Sequence, residues 1–461
     1  MPAAQAIRWA RGLLAVVACS LAACSNLPKI EPGVGLAQPA APVRLEGSRG
    51  TLTVAQSAAV LQRLAAQSPE TLIFEHHLAR EEAVTGSPLT TGNRVLLLQD
   101  GPATYAAMLG AIASARDHVH METYILEDDA VGQRFVQALV GKQLAGVQVA
   151  LMRDSVGTLG TPAALFEPLT AAGAQVLEFN PVNPLTARKG WELNRRDHRK
   201  LLIVDGRTAF LGGINISSVY AGGSSGLHGK ENPAWRDTDV QLQGPVVAEL
   251  QKIFLDNWAE QHGPPLPPRQ SFPPPVNAGS LVVRAIGSSP EEPFSQIYAT
   301  LLSAIASAQT SVQITNAYFA PDPQLLAALE AAARRGVAVT LLLPGRTDSW
   351  LVFHAGRAYY DRLLSAGVRI FERHGALLHS KTALIDGVWS TVGSTNLDWR
   401  SFLHNHELNA VMLGIDFGRQ LQALIDTDLA ASTRITLEAW RARGPSARVK
   451  EWFARWWEYW L

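Results

Sequence analysis

Apolar runs typical of strands alternate with stretches typical of helices through most of the chain. A helical stretch at 131–145 precedes an apolar run at 147–151, and a second at 323–335 precedes a run at 337–343. Strands that alternate with helices predict an α/β sheet fold. Between the two regions, residues 263–275 hold seven of the 27 prolines. Proline interrupts helices and central strands, so this stretch predicts a domain boundary.

The N-terminus has the pattern of a secretion signal. Arg8 and Arg11 precede an apolar run at 12–24. As a helix, its roughly 13 residues would span about 20 Å, which is short of the ~30 Å hydrocarbon core of a bilayer. We therefore predict a signal peptide over residues 1–24 and a proline-containing flexible tether from 25 to about 43.

The signal ends in Leu-Ala-Ala-Cys24, which resembles a bacterial lipobox. Cys24 would then be lipidated and become the mature N-terminus; an ordinary cleaved signal peptide is the alternative. No later stretch reaches 18 apolar residues, so we expect a soluble body tethered to the bacterial cell envelope and facing the periplasm. Ser25 favours the outer over the inner membrane.

Composition narrows the function classes. The 461 residues include 40 basic and 40 acidic side chains, and a net charge of zero argues against a general nucleic-acid binder. Hydrophobic residues at 47% and charged residues at 17% exclude a disordered chain. The only cysteines, Cys19 and Cys24, lie in the signal region, so the body can form neither a disulfide framework nor a zinc–cysteine cluster. We predict no metal site and no cofactor.

The two halves carry the same motif 181 residues apart. Its pattern is H-x-K-x4-D-x6-G-[GS]-x-N, and this spacing indicates an internal duplication. In each copy the His and Lys are two residues apart beside an apolar strand, so both side chains point to the same face and can meet one anion. The first copy contains His198, Lys200, Asp205, Gly213 and Asn215, and the second contains His379, Lys381, Asp386, Ser394 and Asn396.

The residue types suit phosphoryl chemistry. Histidine can act as nucleophile or as acid and base near neutral pH, and lysine supplies a positive charge for a phosphoryl oxygen. Gly213 and Ser394 would let the backbone approach a phosphate, and Asn215 and Asn396 could donate amide N–H groups to it.

This duplicated motif resembles the signature of the phospholipase D superfamily, and the match is closest to bacterial cardiolipin synthases. The resemblance covers about 92–461 and includes the strings at 122–125, 235–239, 318–322, 356–360 and 393–401. It implies two α/β sandwich domains related by duplication, with one active site at their pseudo-twofold interface. It further implies a catalytic set formed by the His, Lys and Asp of both motif copies, with one histidine as nucleophile and the other as acid and base.

By the same resemblance, His198 is the nucleophile and His379 the acid and base. Asp237 and Glu407 resemble the acids that orient the two histidines. Asp205 and Asp386 belong to the motif, yet they follow the strand too far along to reach a phosphate beside the histidine, so we expect them to form the scaffold of the site.

The resulting domain plan has six parts. They are a signal at 1–24, a tether and small helical segment at 25–91, a first domain at 92–262, a linker at 263–279, a second domain at 280–440 and a tryptophan-rich C-terminal helix at 441–461. In that helix Phe453, Trp456, Trp457 and Trp460 share one face near basic residues. This pattern suits either contact with a membrane surface or burial of the aromatic rings against the body.

The predicted function is a phosphatidyltransferase of cardiolipin synthase type that acts on phospholipids, with phosphatidylglycerol as acceptor. The main alternative is a phospholipase D hydrolase, for which water is the acceptor. A nuclease of the superfamily fits the neutral charge and the lipid anchor less well. A non-catalytic envelope lipoprotein would not need to keep both motif copies intact. The expected partners are phospholipids and the membrane, with no nucleic acid.

Overall fold

The computed structural model describes residues 42–183, 192, 194–224, 235–458 and 461. The predicted signal peptide, Cys24 and nearly all of the tether lie outside these residues. Within them, no helix combines the length and the apolar composition needed to cross a membrane.

The N-terminal segment is part of the folded body. Leu45 of its first strand pairs in parallel with Leu89 of the long strand that follows the segment. Leu45, Ile73 and Leu78 are fully buried in a core shared with the second half of the chain. The sequence predicted a tether and a small helical segment here, whereas the structure shows residues 45–85 docked on that half. The elements are β1 (Leu45–Gly47), β2 (Gly50–Thr51), α1 (Val54–Ala66), α2 (Ile73–His76) and α3 (Leu78–Thr85).

In its described residues, the first half is a mixed sheet of seven strands with helices on its faces. Its strands are β3 (Leu89–Gln99), β4 (His118–Thr123), β5 (Gln148–Asp154), β6 (Gln175–Phe179), β8 (Leu201–Val204), β9 (Thr208–Gly212) and β11 (Thr238–Gln243), with β7 (Arg196–Asp197) and β10 (Trp235–Arg236) outside the sheet. The order across the sheet is β3-β11-β9-β8-β4-β5-β6, and β4, β5 and β6 run parallel. The helices are α4 (Asp100–Ser114), α5 (Ala130–Leu144), α6 (Glu167–Ala171) and α7 (Val246–Glu260).

The second half repeats this arrangement. Its strands are β12 (Leu281–Ser288), β13 (Ser311–Asn316), β14 (Ala338–Pro344), β15 (Arg369–Arg373), β16 (Leu377–Leu378), β17 (Lys381–Ile385), β18 (Trp389–Gly393), β19 (Asn405–Leu413) and β20 (Ser432–Ile435). The order is β12-β19-β18-β17-β13-β14-β15-β20, with β13, β14 and β15 parallel. The helices are α8 (Gln296–Ser307), α9 (Pro323–Arg334), α10 (Trp350–Arg357), α11 (Tyr360–Ser365), α12 (Trp399–Leu403), α13 (Ile415–Ala430), α14 (Leu437–Arg441) and α15 (Pro445–Arg455).

The two sheets are continuous with each other. The equivalent strands β3 and β12 pair antiparallel, with Leu281 opposite Asn93 and Val283 opposite Thr90. A strand that pairs with its own equivalent marks the pseudo-twofold axis, so the predicted α/β fold with two duplicated domains is confirmed. Residues 263–280, which include the proline-rich stretch, form neither helix nor strand.

An aspartate caps the N-terminus of the equivalent helices α5 and α9. The Asp129 carboxylate accepts hydrogen bonds from the backbone of Val131 and Gly132, and the Asp322 carboxylate accepts one from Leu325. These bonds satisfy N–H groups that a helix start leaves without partners. Each capped helix lies between two parallel strands, so the strand ends that precede it emerge on one edge of the sheet.

The C-terminal helix docks on the body through a face other than the aromatic one. In α15 the buried residues are Glu451 and Ala454, whereas Phe453, Trp456 and Trp457 of the predicted stripe are 45–63% exposed. Burial of the aromatic stripe, one of the two alternatives, is therefore not what the structure shows. The helix is also shorter than predicted, because it begins at Pro445 and ends at Arg455.

Candidate active site

Short strands exchanged between the halves position both motif histidines. β7 pairs with the start of β19, and the backbone N–H of His198 then donates to the carbonyl of His406 at 3.0 Å. In the same way β16 pairs with β10, and the N–H of His379 donates to the carbonyl of Arg236 at 2.8 Å. Each histidine is therefore fixed against the half of the chain to which it does not belong.

The two predicted orienting acids bind the histidines crosswise. Nδ1 of His198 lies 3.0 Å from Oε1 of Glu407, and Nδ1 of His379 lies 2.7 Å from Oδ2 of Asp237. A carboxylate on Nδ1 fixes the ring and leaves Nε2 for chemistry. Each pair consists of one residue from each half, so neither half alone contains a complete histidine–carboxylate pair.

Gly213 and Ser394, predicted at the phosphate, instead lie beside the two acids. The Ser394 hydroxyl donates to Oε2 of Glu407. A Cβ atom at Gly213 would come within 2.3 Å of the Asp237 carboxylate, so only glycine leaves room for that acid. These residues fix the orienting carboxylates, and the sequence could not separate this role from contact with a phosphate because both need a small residue at this turn.

The two motif lysines are buried beside the histidines. Nζ of Lys200 donates to the carbonyl of His198 at 2.6 Å, and Nζ of Lys381 donates to the carbonyl of His379. Nζ of Lys200 also lies 5.3 Å from the centre of the Tyr124 ring. Each lysine therefore places its amino group close to its histidine.

Burial and charge together set the protonation of the site. Burial lowers the pKa of His198 to about 4, although Glu407 acts in the opposite direction. The pKa of His379 is also lowered, by burial and by the charge of Lys381. Both rings are therefore neutral at neutral pH in the empty site, which is the form in which a histidine can act as a nucleophile.

The pKa values of the two lysines and of the two carboxyl groups are shifted by burial and by neighbouring charges. Burial lowers the pKa of Lys200 to about 7 and that of Lys381 to about 8. Burial opposes ionisation of Asp237 and Glu407, yet the pKa of each carboxyl is below its ordinary value because its histidine and a lysine stabilise the carboxylate. An anionic phosphodiester would favour the charged form of both lysines.

The two motif asparagines line the same cleft but have different partners. The Asn215 amide donates to the Tyr220 hydroxyl at 3.1 Å and accepts from the N–H of Ile125 at 3.3 Å. Oδ1 of Asn396 is buried and has no hydrogen-bond partner among the described residues. Asn396 thus has an unused acceptor oxygen, which suits a hydroxyl group of a ligand, whereas only its amide N–H groups could bind a phosphoryl oxygen.

Asp205 and Asp386 lie outside the cleft. Asp205 accepts hydrogen bonds from three consecutive N–H groups, those of residues 116–118, and Asp386 accepts from those of residues 309–311. Asp386 also accepts from the Thr71 hydroxyl at 2.6 Å. The hydrogen bonds of Asp205 and Asp386 join the turn after each motif strand to the start of a neighbouring strand. Both residues therefore stabilise the fold around the site.

The cleft between the halves has a volume of about 380 Å³ and is lined by both histidines and both asparagines. Its two sides differ. Tyr220 and Trp235 place their ring centres 5.9 and 5.0 Å from His379, whereas the equivalent positions 401 and 405 are serine and asparagine. No sequence pattern predicted Tyr124, Tyr318, Tyr220 or Trp235 as site residues. The tyrosines at 124 and 318 sit in a repeated string, which was the available signal.

Metal ligation has no candidate in the described part of the chain. No group of three or more His, Cys, Asp or Glu side chains there lies close enough together to hold a metal ion.

Solved structures with a similar fold support the architecture. Phosphatidylserine synthase of Haemophilus influenzae Rd KW20 superposes with a TM-score of 0.56 at 13% identity, covering 78% of this chain and 93% of that one. Polyphosphate kinase of Porphyromonas gingivalis superposes with a TM-score of 0.51 at 12% identity, covering 82% of this chain and 51% of that one. At these identities the likeness concerns the fold alone.

Sequence comparison is more specific. The family described as "Cardiolipin synthase, PLD-like domain" matches residues 108–255 and 301–429. Cardiolipin synthase A of Pseudomonas putida (strain W619) is 37% identical over 357 residues, which cover 76% of this chain and 71% of that protein. Cardiolipin synthase of Geobacillus kaustophilus (strain HTA426) is 34% identical over 367 residues, which cover 79% of this chain and 72% of that protein. The chain therefore belongs to the cardiolipin synthase, PLD-like family and is a phosphatidyltransferase-type enzyme of the phospholipase D superfamily.

Proposed function

We propose that this enzyme transfers a phosphatidyl group from one phospholipid to a head-group hydroxyl of phosphatidylglycerol through a phosphohistidine intermediate. The observation that carries the proposal is the crosswise pairing of His198 with Glu407 and of His379 with Asp237 around one cleft. Covalent transfer needs a nucleophile and a separate acid and base, and two oriented histidines can fill these roles.

In the first step, Nε2 of His198 attacks the phosphorus of the donor lipid. The bond from phosphorus to the head-group oxygen breaks, and His379 gives its proton to the leaving alcohol. The positive charge that develops on the His198 ring is stabilised by the Glu407 carboxylate, 3.0 Å from Nδ1. The negative phosphodiester favours protonation of His379 when the donor binds, which offsets the effect of burial on its pKa.

In the second step, His379 takes the proton from the acceptor hydroxyl, whose oxygen attacks phosphorus. The phosphorus–nitrogen bond breaks and His198 is released as a neutral ring. Lys200 and Lys381 hold the phosphoryl oxygens through both steps, and the N–H groups of the Asn396 amide can donate to one of these oxygens from the cleft wall. The order of the two histidines follows the family resemblance.

We also propose that Cys24 carries the lipid anchor and that the enzyme works at the periplasmic face of the envelope. The lipobox-like sequence before Cys24 supports this placement. Mass spectrometry of the protein extracted from bacterial membranes tests it. A diacylglyceryl group on Cys24 is the expected result, and an unmodified N-terminus at another residue would contradict it.

The reaction is tested by incubating the protein with liposomes that contain phosphatidylglycerol and identifying the lipid products by mass spectrometry. Cardiolipin is the expected product, and it should be absent with His198→Ala or His379→Ala. Phosphatidic acid as the sole product would replace the transferase with the hydrolase. Liposomes with phosphatidylethanolamine as a second lipid identify the donor, and loss of activity with a chelator would contradict the metal-free mechanism.

A further inference from the structure

Helices α10 and α15 together expose a cluster of large apolar side chains. The Trp350 and Phe453 rings lie 6.4 Å apart across the two helices, and the Trp452 and Trp456 rings lie 4.7 Å apart. We call this cluster the aromatic patch; its members are 45–63% exposed and comprise Trp350, Val449, Trp452, Phe453, Trp456 and Trp457. Soluble surfaces rarely expose so many large apolar groups together, so a patch of this kind indicates a binding surface.

The aromatic patch borders the mouth of the catalytic cleft. Ser349 and Val352, on either side of Trp350 in the chain, line the cleft, and so does Leu461. The Leu461 carbonyl accepts a hydrogen bond from the N–H of Arg400, another residue of the cleft wall. Whatever covers the patch therefore also lies against the entrance to the site.

The first half supplies an exposed apolar residue on the other side of this entrance. Leu159, in the loop after β5, is 70% exposed. The same loop packs on the backbone of Tyr124, which lines the cleft: a Cβ atom at Gly157 would lie 2.0 Å from the Tyr124 carbonyl oxygen. Tyr124 and Ser349 line the same cleft, so the Leu159 loop and the start of α10 both lie close to its walls, one in each half of the chain.

The charges around the aromatic patch identify the partner. Arg448, Lys450 and Arg455 are exposed on α15, whereas the acidic residue within that helix, Glu451, is buried and paired with Arg443 at 2.5 Å. A second copy of the chain joined by a twofold axis through this patch would bring the cations together. Tryptophan with arginine and lysine instead suits the head-group layer of an anionic bilayer.

We propose that the aromatic patch and the Leu159 loop form a two-sided rim that dips into an anionic bilayer and holds the mouth of the cleft against the lipid surface. This inference rests on the proposed function, because it supplies the route by which a phospholipid enters the cleft without leaving the membrane. It differs from the lipid anchor, which would tether the protein without orienting the site.

Local protection on vesicles tests the rim directly. All proteins carry Cys24→Ser, so that lipidation is absent, and hydrogen exchange is measured with phosphatidylglycerol vesicles and with phosphatidylcholine vesicles. Peptides that span 155–162 and 445–458 should both be protected on the anionic vesicles and much less so on the zwitterionic ones. Equal exchange with and without vesicles would overturn the proposal, and so would protection in solution that accompanies dimer formation in light scattering.

Kinetics separate the rim from the chemistry. Trp452→Ser combined with Trp456→Ser should lower turnover of vesicle substrate by about 100-fold, roughly tenfold for each aromatic side chain that no longer enters the interface. Leu159→Ser should lower it by several-fold. Turnover of a short-chain phosphatidylglycerol below its critical micelle concentration should stay within about twofold of the parent protein.

The matched control is Leu144→Ser, which removes an apolar side chain that is 72% exposed at the C-terminal end of α5, on the opposite edge of the sheet. Equal vesicle turnover in the rim variants and the control would refute the rim. If the parent protein turns over neither substrate, the proposed function fails. The hydrogen-exchange experiment still tests whether the rim binds the bilayer.

Discussion

Replacing Glu407 with glutamine should slow formation of the phosphohistidine while leaving the fold intact. Oε1 and Oε2 of Glu407 lie 3.0 and 3.1 Å from Nδ1 of His198, and the glutamate side chain is fully buried. Glutamine keeps the size and one acceptor oxygen but removes the negative charge that faces the ring. The variant therefore isolates the electrostatic part of the interaction.

The size of the expected rate loss follows from the distance between the Glu407 carboxylate and the His198 ring. At 3.0 Å a unit charge pair is worth about 5.5 kcal/mol with an effective dielectric constant of ~20. The amide still accepts a hydrogen bond worth about 1 kcal/mol, so the loss is ~4.5 kcal/mol, on the order of 10³-fold in rate. The loss belongs to the transition state, because the neutral ring of the empty site gains much less from the carboxylate.

The assay is a rapid-quench measurement with labelled donor lipid, stopped in base and analysed for label on the protein. Glu407→Gln should lower the rate of labelling by about 10³-fold with little change in substrate binding. Glu291→Gln is the control, since Glu291 pairs with His406 at 3.4 Å outside the cleft. A labelling rate within threefold of the wild type, or an equal loss in both variants, would refute the electrostatic argument.

Three further predictions concern the motif residues and the core. Lys200→Met removes the buried amino group beside His198 and should lower kcat/KM by about 10³-fold; an unchanged kcat/KM would exclude the phosphate-clamp role. Asp205→Ala should lower the free energy of unfolding in urea by about 3 kcal/mol, because it leaves the N–H groups of residues 116–118 without their acceptor. Asp205→Asn should recover part of that loss. An equal free energy of unfolding for both variants would count against the scaffold role. Burial lowers the pKa of His120 to about 3, so the unfolded chain binds this proton more readily between pH 6.5 and 3. Stability should therefore fall as the pH drops through that window, and His120→Asn should flatten the slope; an unchanged slope would contradict the argument.

The fold class and the motif could be predicted from the sequence because both depend on local patterns of residues. The run Leu201–Val204 reads as a buried strand and is one, and the spacing of His198 and Lys200 already requires a shared face. The repetition of the motif predicted the domain organisation, since two copies in register imply two equivalent domains.

The pairing across the halves could not be read from the sequence. Glu407 lies 28 residues after His379 in the chain yet binds His198, because β19 pairs with β7 from the other half. Which strand meets which across an interface depends on the axis that relates the domains, and no local pattern encodes that axis. The same limit applies to residues 45–85, whose docking on the second half depends on long-range contacts such as that of Thr71 with Asp386.

The antiparallel pairing of β3 with β12 has a consequence for how such an enzyme can diversify. An isolated half would expose this strand as an open edge and would hold each histidine without its acid, so a single-motif version could act only as a homodimer. In a homodimer any change to one wall of the cleft is copied onto the other. Fusion into one chain removes that constraint. Tyr220 and Trp235 contact His379, whereas serine and asparagine occupy the equivalent positions 401 and 405 in the other half. Duplication thus gave this enzyme a symmetric pair of histidines whose surroundings can change independently of each other.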